Sequence, residues 1–201
     1  DVKNEYPQKL ADHIYDRFIE GELTKGQEFR ILDIGCCTGD ALKMFNRRNN
    51  LELYGIDIRD EKQEGYVFKE CNLETDKIPF EDNTFDFIYS KSVLEHVKNT
   101  DNFISESLRV LKPGGVFVGM CPDWGSQYKN YWDDYTHVKP FTRKGLPFLW
   151  KYPYLEFVAR IISLLPDSLR WKDRDERNTK DRKLIRFSKE KMLLSYGRKS
   201  Q

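Results

Sequence analysis

The chain has 201 residues, a length that suits one domain with a sizeable core. Charged residues make up 33% and hydrophobic residues 39%, the balance expected of a soluble globular protein and not of a disordered or fibrous one. The net charge of +1 gives no global argument for nucleic acid as a partner.

The charge is unevenly spread. Residues 151–201 hold 14 Lys/Arg against 7 Asp/Glu, which makes the last quarter basic and leaves the rest acidic. Such a tail is either a solvated face or a surface for phosphate groups or acidic lipid. Cysteines at 36, 37, 71 and 121 form no CxxC pair, and adjacent thiols do not make a disulfide framework. Reduced thiols and a cytoplasmic location are expected. No apolar run approaches 18 residues and no secretory signal is visible, so no stable membrane insertion is expected.

In chain order, residues 4–20 show helical spacing through Leu10, Ile14, Tyr15 and Phe18. The run Ile31, Leu32, Ile34 then carries one acid, Asp33, into glycines at 35 and 39 and a helix over 40–48. This is a buried strand, a tight turn and a helix start, where glycine lets backbone approach a ligand and unpaired N–H groups face it. A plain strand-to-helix turn fits the same residues. Leu53–Ile58 is a second strand. Its Asp57 stands 18 residues after Gly39, near the spacing of about 20 at which an acid meets ribose hydroxyls. A carboxylate accepts two hydrogen bonds from vicinal hydroxyls, although a strand-end acid capping a turn is the simpler role.

Val67–Cys71 is a short third strand, and Phe85–Tyr89 a fourth, with Ser90 and Lys91 at its carboxyl end, where open α/β sheets bind ligands. Residues 101–111 form a helix with Thr100 or Asp101 as its N-cap, and Lys112-Pro-Gly-Gly115 turns into a fifth strand, Val116–Met120. Residues 123–142 are rich in aromatic and polar groups, Tyr154–Leu165 resembles an apolar helix, and Lys191–Tyr196 a last strand. Phe148–Trp150 is the only candidate for a sixth, and Arg170–Lys183 is a charged stretch. Thr142-Arg-Lys144 has the look of a helix start.

Four blocks, ILDIGCCTGD, LYGIDI, CNLETDKIPFEDNTFDFIYSKSVLEHV and ESLRVLKPGGVFV, occur in an order and spacing that resembles the class I S-adenosylmethionine-dependent methyltransferases of the "methyltransferase type 11" kind, over roughly residues 28–120. The chain departs from that pattern at Cys37, where glycine is common. The resemblance implies a single Rossmann-like, doubly wound, mostly parallel sheet of order 3-2-1-4-5-7-6, with strand 7 antiparallel and helices on both faces. Residues 1–27 would be a leading helix and lead-in that closes over the cofactor, with Tyr6 either touching it or serving as a core or surface aromatic, 28–120 the cofactor core, and 121–201 the acceptor side with a helical insert and the last strand. It further implies S-adenosylmethionine as cofactor, S-adenosylhomocysteine as product, and a cofactor site made by Asp33, Gly35, Cys36, Cys37, Gly39, Asp57, Ile58, Asn72, Leu73, Ser90 and Lys91. Asn72, at a position often acidic in the family, faces the adenine amino group through its carbonyl oxygen.

The acceptor side follows from chemistry. A hydroxyl acceptor loses its proton as it is methylated, and a His near neutral pKa suits that task; His137, oriented by Asp133 or Asp134, is the candidate where a base is needed, and a His that braces the loop fits the same residues. His96, in a segment like the family's LxHV, either lines the pocket or is structural. Tyr128, Tyr131, Trp132 and Tyr135 are candidates for the wall of a small-molecule acceptor pocket. No clustered metal-ligand set appears in the sequence, and no metal is expected. O-methylation of a small molecule is the favoured reading. A nicotinamide-dependent enzyme, a non-catalytic cofactor- or partner-binding module, and a methyltransferase acting on protein or RNA remain open alternatives.

Overall fold

The computed structural model describes residues 6–23, 27–46, 51–59, 64–124, 130–141, 155–156, 162–163 and 192–199. Five parallel strands, β1 (Phe29–Ile34), β2 (Leu51–Asp57), β3 (Val67–Glu70), β4 (Phe85–Lys91) and β5 (Leu111–Pro122), form most of one sheet. The short β6 (Leu155–Glu156) and β7 (Ile162–Ser163) and the longer β8 (Met192–Lys199) complete it. The order is β3-β2-β1-β4-β5-β8-β6, with β7 also paired to β8. β8 runs antiparallel to β5, as expected for the last strand. The missing sixth strand is supplied by β6 and β7, both antiparallel to β8. Those residues lie in the stretch expected as the helix Tyr154–Leu165. Where the stretch is described it is extended, because β8 offers it a ladder edge. Tyr128, Thr142–Lys144, Phe148–Trp150 and Arg170–Lys183 lie outside the described residues.

The alternation of each strand sorts its side chains to two faces. Leu32, Ile34, Ile56, Ile88 and Phe117 face one layer with Phe103, Ile104 and Leu108 of helix α3 (Thr100–Val110). Ile31, Leu53, Phe87, Tyr89, Val116, Val118 and Met120 face the other. There they meet Leu10, Ala11 and Ile14 of α1 (Tyr6–Ile14) and Leu42 and Phe45 of α2 (Asp40–Phe45).

Three expectations need correction. The leading helix is α-helical only to Ile14, then widens to a π-turn over Tyr15–Ile19 and tightens to a 3-10 turn over Glu20–Glu22. The wider turn lets Tyr15, Phe18 and Ile19 all bury. Helix α2 stops at Phe45, short of residue 48. Helix α3 is capped by Asn99, one residue before Thr100: its side chain accepts from the Asn102 N–H at 3.2 Å, while its own N–H donates to Glu74.

Arg109, near the end of α3, binds a distant segment. Its guanidinium donates to the carbonyls of Ile78 and Phe80 and pairs with Glu106 at 2.7 Å and Asp82 at 2.8 Å. Glu106 in turn accepts from the Ile78 N–H. Arg109 holds the Glu106 carboxyl below its ordinary pKa. One side chain therefore joins the IPF and LRVLKPGG blocks, a physical reason for their occurring together. Arg109→Met removes charge-assisted bonds worth roughly 1.5–3 kcal/mol each in partly buried settings, tempered here by solvent at Asp82. A net loss of about 2 kcal/mol is expected, read as a lower urea midpoint at unchanged m-value.

Candidate active site

Strand β1 ends at a turn that three residues hold in the left-handed region: Gly35 (φ 75°), Cys37 (φ 47°) and Gly39 (φ 72°). A Cβ on Gly35 would run into the Val93 side chain, and one on Gly39 into the ring of Tyr66. Both positions therefore need glycine for space as well as for φ. The Gly35 and Cys36 N–H groups donate to the Ile56 carbonyl at 2.8 and 3.1 Å, tying the turn to β2. The Cys37 N–H donates to Asp57 Oδ2 at 2.8 Å, and Ile58 N–H to Asp57 Oδ1 at 2.7 Å.

Beside this turn is a cleft of about 340 Å³, with Gly35, Cys37, Asp57, Ile58, Asn72, Leu73 and His96 in its lining. Ile58 presents an exposed apolar side chain, 58% accessible, at its rim. Asn72 caps the turn that follows β3: its Oδ1 accepts from the Glu74 N–H at 3.1 Å, and its N–H donates to Asp76. That oxygen keeps a second lone pair for a ligand donor.

The remaining expected cofactor residues lie behind the turn. Asp33 is 4% exposed at the end of β1 and holds its proton up to about pH 8, because burial and the neighbouring Asp57 oppose its charge while Lys91 favours it. Cys36 is buried, its sulfur packed where a Gly55 side chain would go, and its thiol is pushed up to about 12 by burial and by Asp33. Ser90 is buried with its hydroxyl lacking a hydrogen-bond partner among the described residues. Lys91 lines a second cleft of about 230 Å³ with Asp40, Tyr89 and residues of α1, which is where the leading helix meets the site. The side chain of Tyr6 lies outside the described residues.

On the acceptor side, Ser92 takes a left-handed turn (φ 57°) and lifts the chain off β4 into a single helical turn, Leu94–His96. Residues 130–141 are stitched onto it: the Val138 and Lys139 N–H groups donate to the Glu95 carbonyl, and Lys139 Nζ to the Lys98 carbonyl. This brings the His96 and His137 rings to 4.9 Å centroid separation. Tyr131 is buried against His137, with its hydroxyl donating to the Lys139 carbonyl at 2.6 Å. Trp132 stacks edgewise on Tyr131 and is 53% exposed, and Tyr135 is 93% exposed. Tyr131, Trp132 and Tyr135 are not among the residues lining the 340 Å³ cleft. Asp134, not Asp133, approaches His137, its Oδ2 at 3.8 Å from Nε2. Sequence reasoning passed over Glu95, although an acid inside the apolar run Val93–Val97 was a visible signal; it is 1% exposed.

Residues 32–119 match the family model described as a methyltransferase domain. The chain is 33% identical over 124 residues to the sterol 24-C-methyltransferase erg6 of Schizosaccharomyces pombe, covering 56% of this chain and 32% of that protein. It is 28% identical over 159 residues to the ubiquinone/menaquinone biosynthesis C-methyltransferase UbiE of Desulfotalea psychrophila, covering 74% and 62%. The chain thus spans about a third of the first of these relatives. A SAM-dependent methyltransferase from Archaeoglobus fulgidus shares the fold, with a TM-score of 0.67 at 16% identity, over 96% of this chain and 94% of that one.

Two outcomes test the geometry of this turn. Cys37→Gly removes a left-handed cost of roughly 1–2 kcal/mol, offset in part by the freer unfolded chain. Its melting temperature should equal or exceed that of the parent, whereas Cys37→Val should melt lower. Asp33 takes a proton in the folded state up to about pH 8, while the unfolded chain releases it near 3.9. Its contribution is therefore full below pH 4 and is lost as pH rises to 8. Asp33→Asn should flatten that fall in pH-resolved denaturation curves.

Proposed function

We propose a methyl-transfer reaction for this chain, a class I S-adenosylmethionine-dependent methyltransferase domain of the methyltransferase type 11 kind. The main cleft takes S-adenosylmethionine, and a small-molecule acceptor enters beside His96 and His137. The observation that carries the reading is the convergence of the left-handed turn, Asp57, Asn72 and His96 on one cleft of nucleoside size. The residues fit the cofactor. Each Asp57 oxygen makes one backbone bond and keeps a lone pair for a ribose hydroxyl. Ile58 offers an apolar face to the adenine, and Asn72 and the Leu73 backbone its polar edge. Behind the turn, Lys91 complements the carboxylate of an amino acid, the arriving ammonium favours the ionised form of the otherwise protonated Asp33, and the Ser90 hydroxyl gains a partner. Gly35, Cys36, Cys37 and Gly39 shape the approach through their backbone.

The cofactor supplies an activated methyl group on a sulfonium centre. The protein's part is to align the acceptor with it, exclude water and receive a proton. With a hydroxyl acceptor, the oxygen–carbon bond forms as the sulfur–carbon bond breaks, and the hydroxyl proton passes to His137 Nε2. His137 is set for this: its Nδ1 is bonded to the Tyr131 carbonyl at 2.6 Å, which leaves Nε2 as the basic nitrogen. O-methylation is the favoured outcome. The two relatives named as C-methyltransferases favour a second reading, a carbon acceptor that loses its proton to the same base. Nucleic acid is not a partner in this reading, and the enzyme works in the cytoplasm. Among the described residues no helix is long and apolar enough to cross a membrane.

Labelled-methyl transfer to a panel of small hydroxyl compounds, with NMR of the product, tests the reading and separates oxygen from carbon. His137→Ala should lower kcat by about 10²–10⁴-fold, the usual weight of a general base, and leave S-adenosylhomocysteine affinity unchanged. Full turnover by that variant would make His137 structural. Asp57→Asn, which keeps one acceptor oxygen, should weaken S-adenosylhomocysteine binding with little change in kcat at saturation.

A further inference from the structure

Among the described residues, Glu95, His96 and His137 bring one carboxylate oxygen and two imidazole nitrogens within 4.8 Å of one another. The hydrogen bonds around them decide which nitrogens face inward. Thr136 Oγ1 donates its proton to Asp134 Oδ1 at 2.5 Å, so towards His96 Nδ1, 2.9 Å away, it can only accept. His96 Nδ1 therefore carries the proton, and its Nε2 presents a lone pair 3.9 Å from Glu95 Oε1. The backbone carbonyl of Tyr131 likewise holds the proton on His137 Nδ1 and leaves its Nε2 lone pair exposed. Each imidazole has one nitrogen fixed, by a carbonyl or by a hydroxyl–carboxylate relay, and each offers a ligand atom within 4.8 Å of the buried acid, an arrangement in which such outer hydrogen bonds orient metal ligands. Asp134 adds a further negative charge at the rim.

We propose that Glu95, His96 and His137 form a binding site for one divalent transition metal ion of the zinc class, with coordination positions left open toward the cleft. Two imidazole nitrogens and one carboxylate oxygen suit such an ion, and metal–ligand bonds of about 2.0–2.1 Å set ligand atoms about 3.3 Å apart in a tetrahedron. The His96 Nε2 to Glu95 Oε1 distance of 3.9 Å is about 0.6 Å longer than that spacing, so binding draws the ligand atoms together by a small adjustment. The ligand set spans the step from the helical turn after β4 to the 130–141 segment, so the ion also staples that segment down. Since His96 lines the cofactor cleft, the open positions face the acceptor, and the ligand class they favour is an acceptor with an oxygen donor. This goes beyond the methyl-transfer reading and bears on it: an ion on His137 Nε2 occupies the lone pair that otherwise takes the proton, so His137 serves as the base only in the metal-free form, and the test of the site needs no turnover.

The test is titration of the metal-stripped full chain with Co²⁺, read by visible absorption. One equivalent giving the d–d bands of a four- or five-coordinate nitrogen–oxygen site, displaced by Zn²⁺, is the expected result. Glu95→Gln and His137→Gln should each weaken binding by on the order of 100-fold or more, and Thr136→Val by about 10-fold through the loosened His96. Melting curves and S-adenosylhomocysteine titration confirm that each variant is folded, and that binding is expected to persist without metal. Absence of stoichiometric Co²⁺ binding by the parent would overturn the proposal. So would a sulfur-to-cobalt charge-transfer band placing the ion on the cysteines, or unchanged affinity in folded His137→Gln. None of these touches the cofactor reading, which fails only if S-adenosylhomocysteine does not bind.

Discussion

The bond from the Cys37 N–H to the Asp57 carboxylate is the constraint on which the site depends. It fastens the turn after β1 to the end of β2, and the register of those strands, with Ile34 opposite Ile56, brings the two within reach. Three left-handed residues in five would not persist without partners. The Ile56 carbonyl and the Asp57 carboxylate supply them. The same turn leaves no side chain at Gly35, and Val93 packs into that space. The cleft's floor and its far wall are thus fixed by one local geometry.

Outside the cleft, the sheet's two apolar faces supply the burial, and a few charged side chains settle how segments dock. Arg109 fastens the 78–82 stretch to α3, and Lys112 pairs with Asp86 at 2.8 Å where β4 and β5 begin. Arg198 on β8 pairs with Glu22 at 2.6 Å and donates to the Gly114 carbonyl, joining the last strand to the leading segment. The part-exposed Lys112 and Arg198 pairs add little individually, and the half-buried Arg109 network adds more. Their effect is to select one docking of elements that hydrophobic burial alone would leave adjustable.

Much of this was legible in the sequence because it rests on local patterns. Apolar runs marked β1 to β5, β8 followed the Lys191–Tyr196 run, and the glycines marked the turn. Spacing singled out Asp57 for ribose hydroxyls, with a turn-capping role as the simpler alternative, and the structure shows its carboxylate bonded to the Cys37 and Ile58 N–H groups. What the sequence withheld depends on distant contacts. The helix expected at Tyr154–Leu165 gives way, where described, to strand pairing because β8 provides an edge that local apolar character does not reveal. Asn99, not Thr100 or Asp101, caps α3 because Glu74 from another loop holds it in place. Within one aromatic segment the sequence could not say which ring is buried: Tyr131 packs beside His137, while Trp132 and Tyr135 are exposed. Forty residues separate His96 from His137, so no local spacing rule could find the meeting of Glu95, His96 and His137.

Calorimetric titration of the purified chain with S-adenosylmethionine, S-adenosylhomocysteine and NAD in parallel tests the central claim most directly. Micromolar, one-to-one binding of both adenosyl compounds, with none of NAD, is the predicted result. Absence of binding by either adenosyl compound to the folded protein, or a preference for NAD, would contradict it.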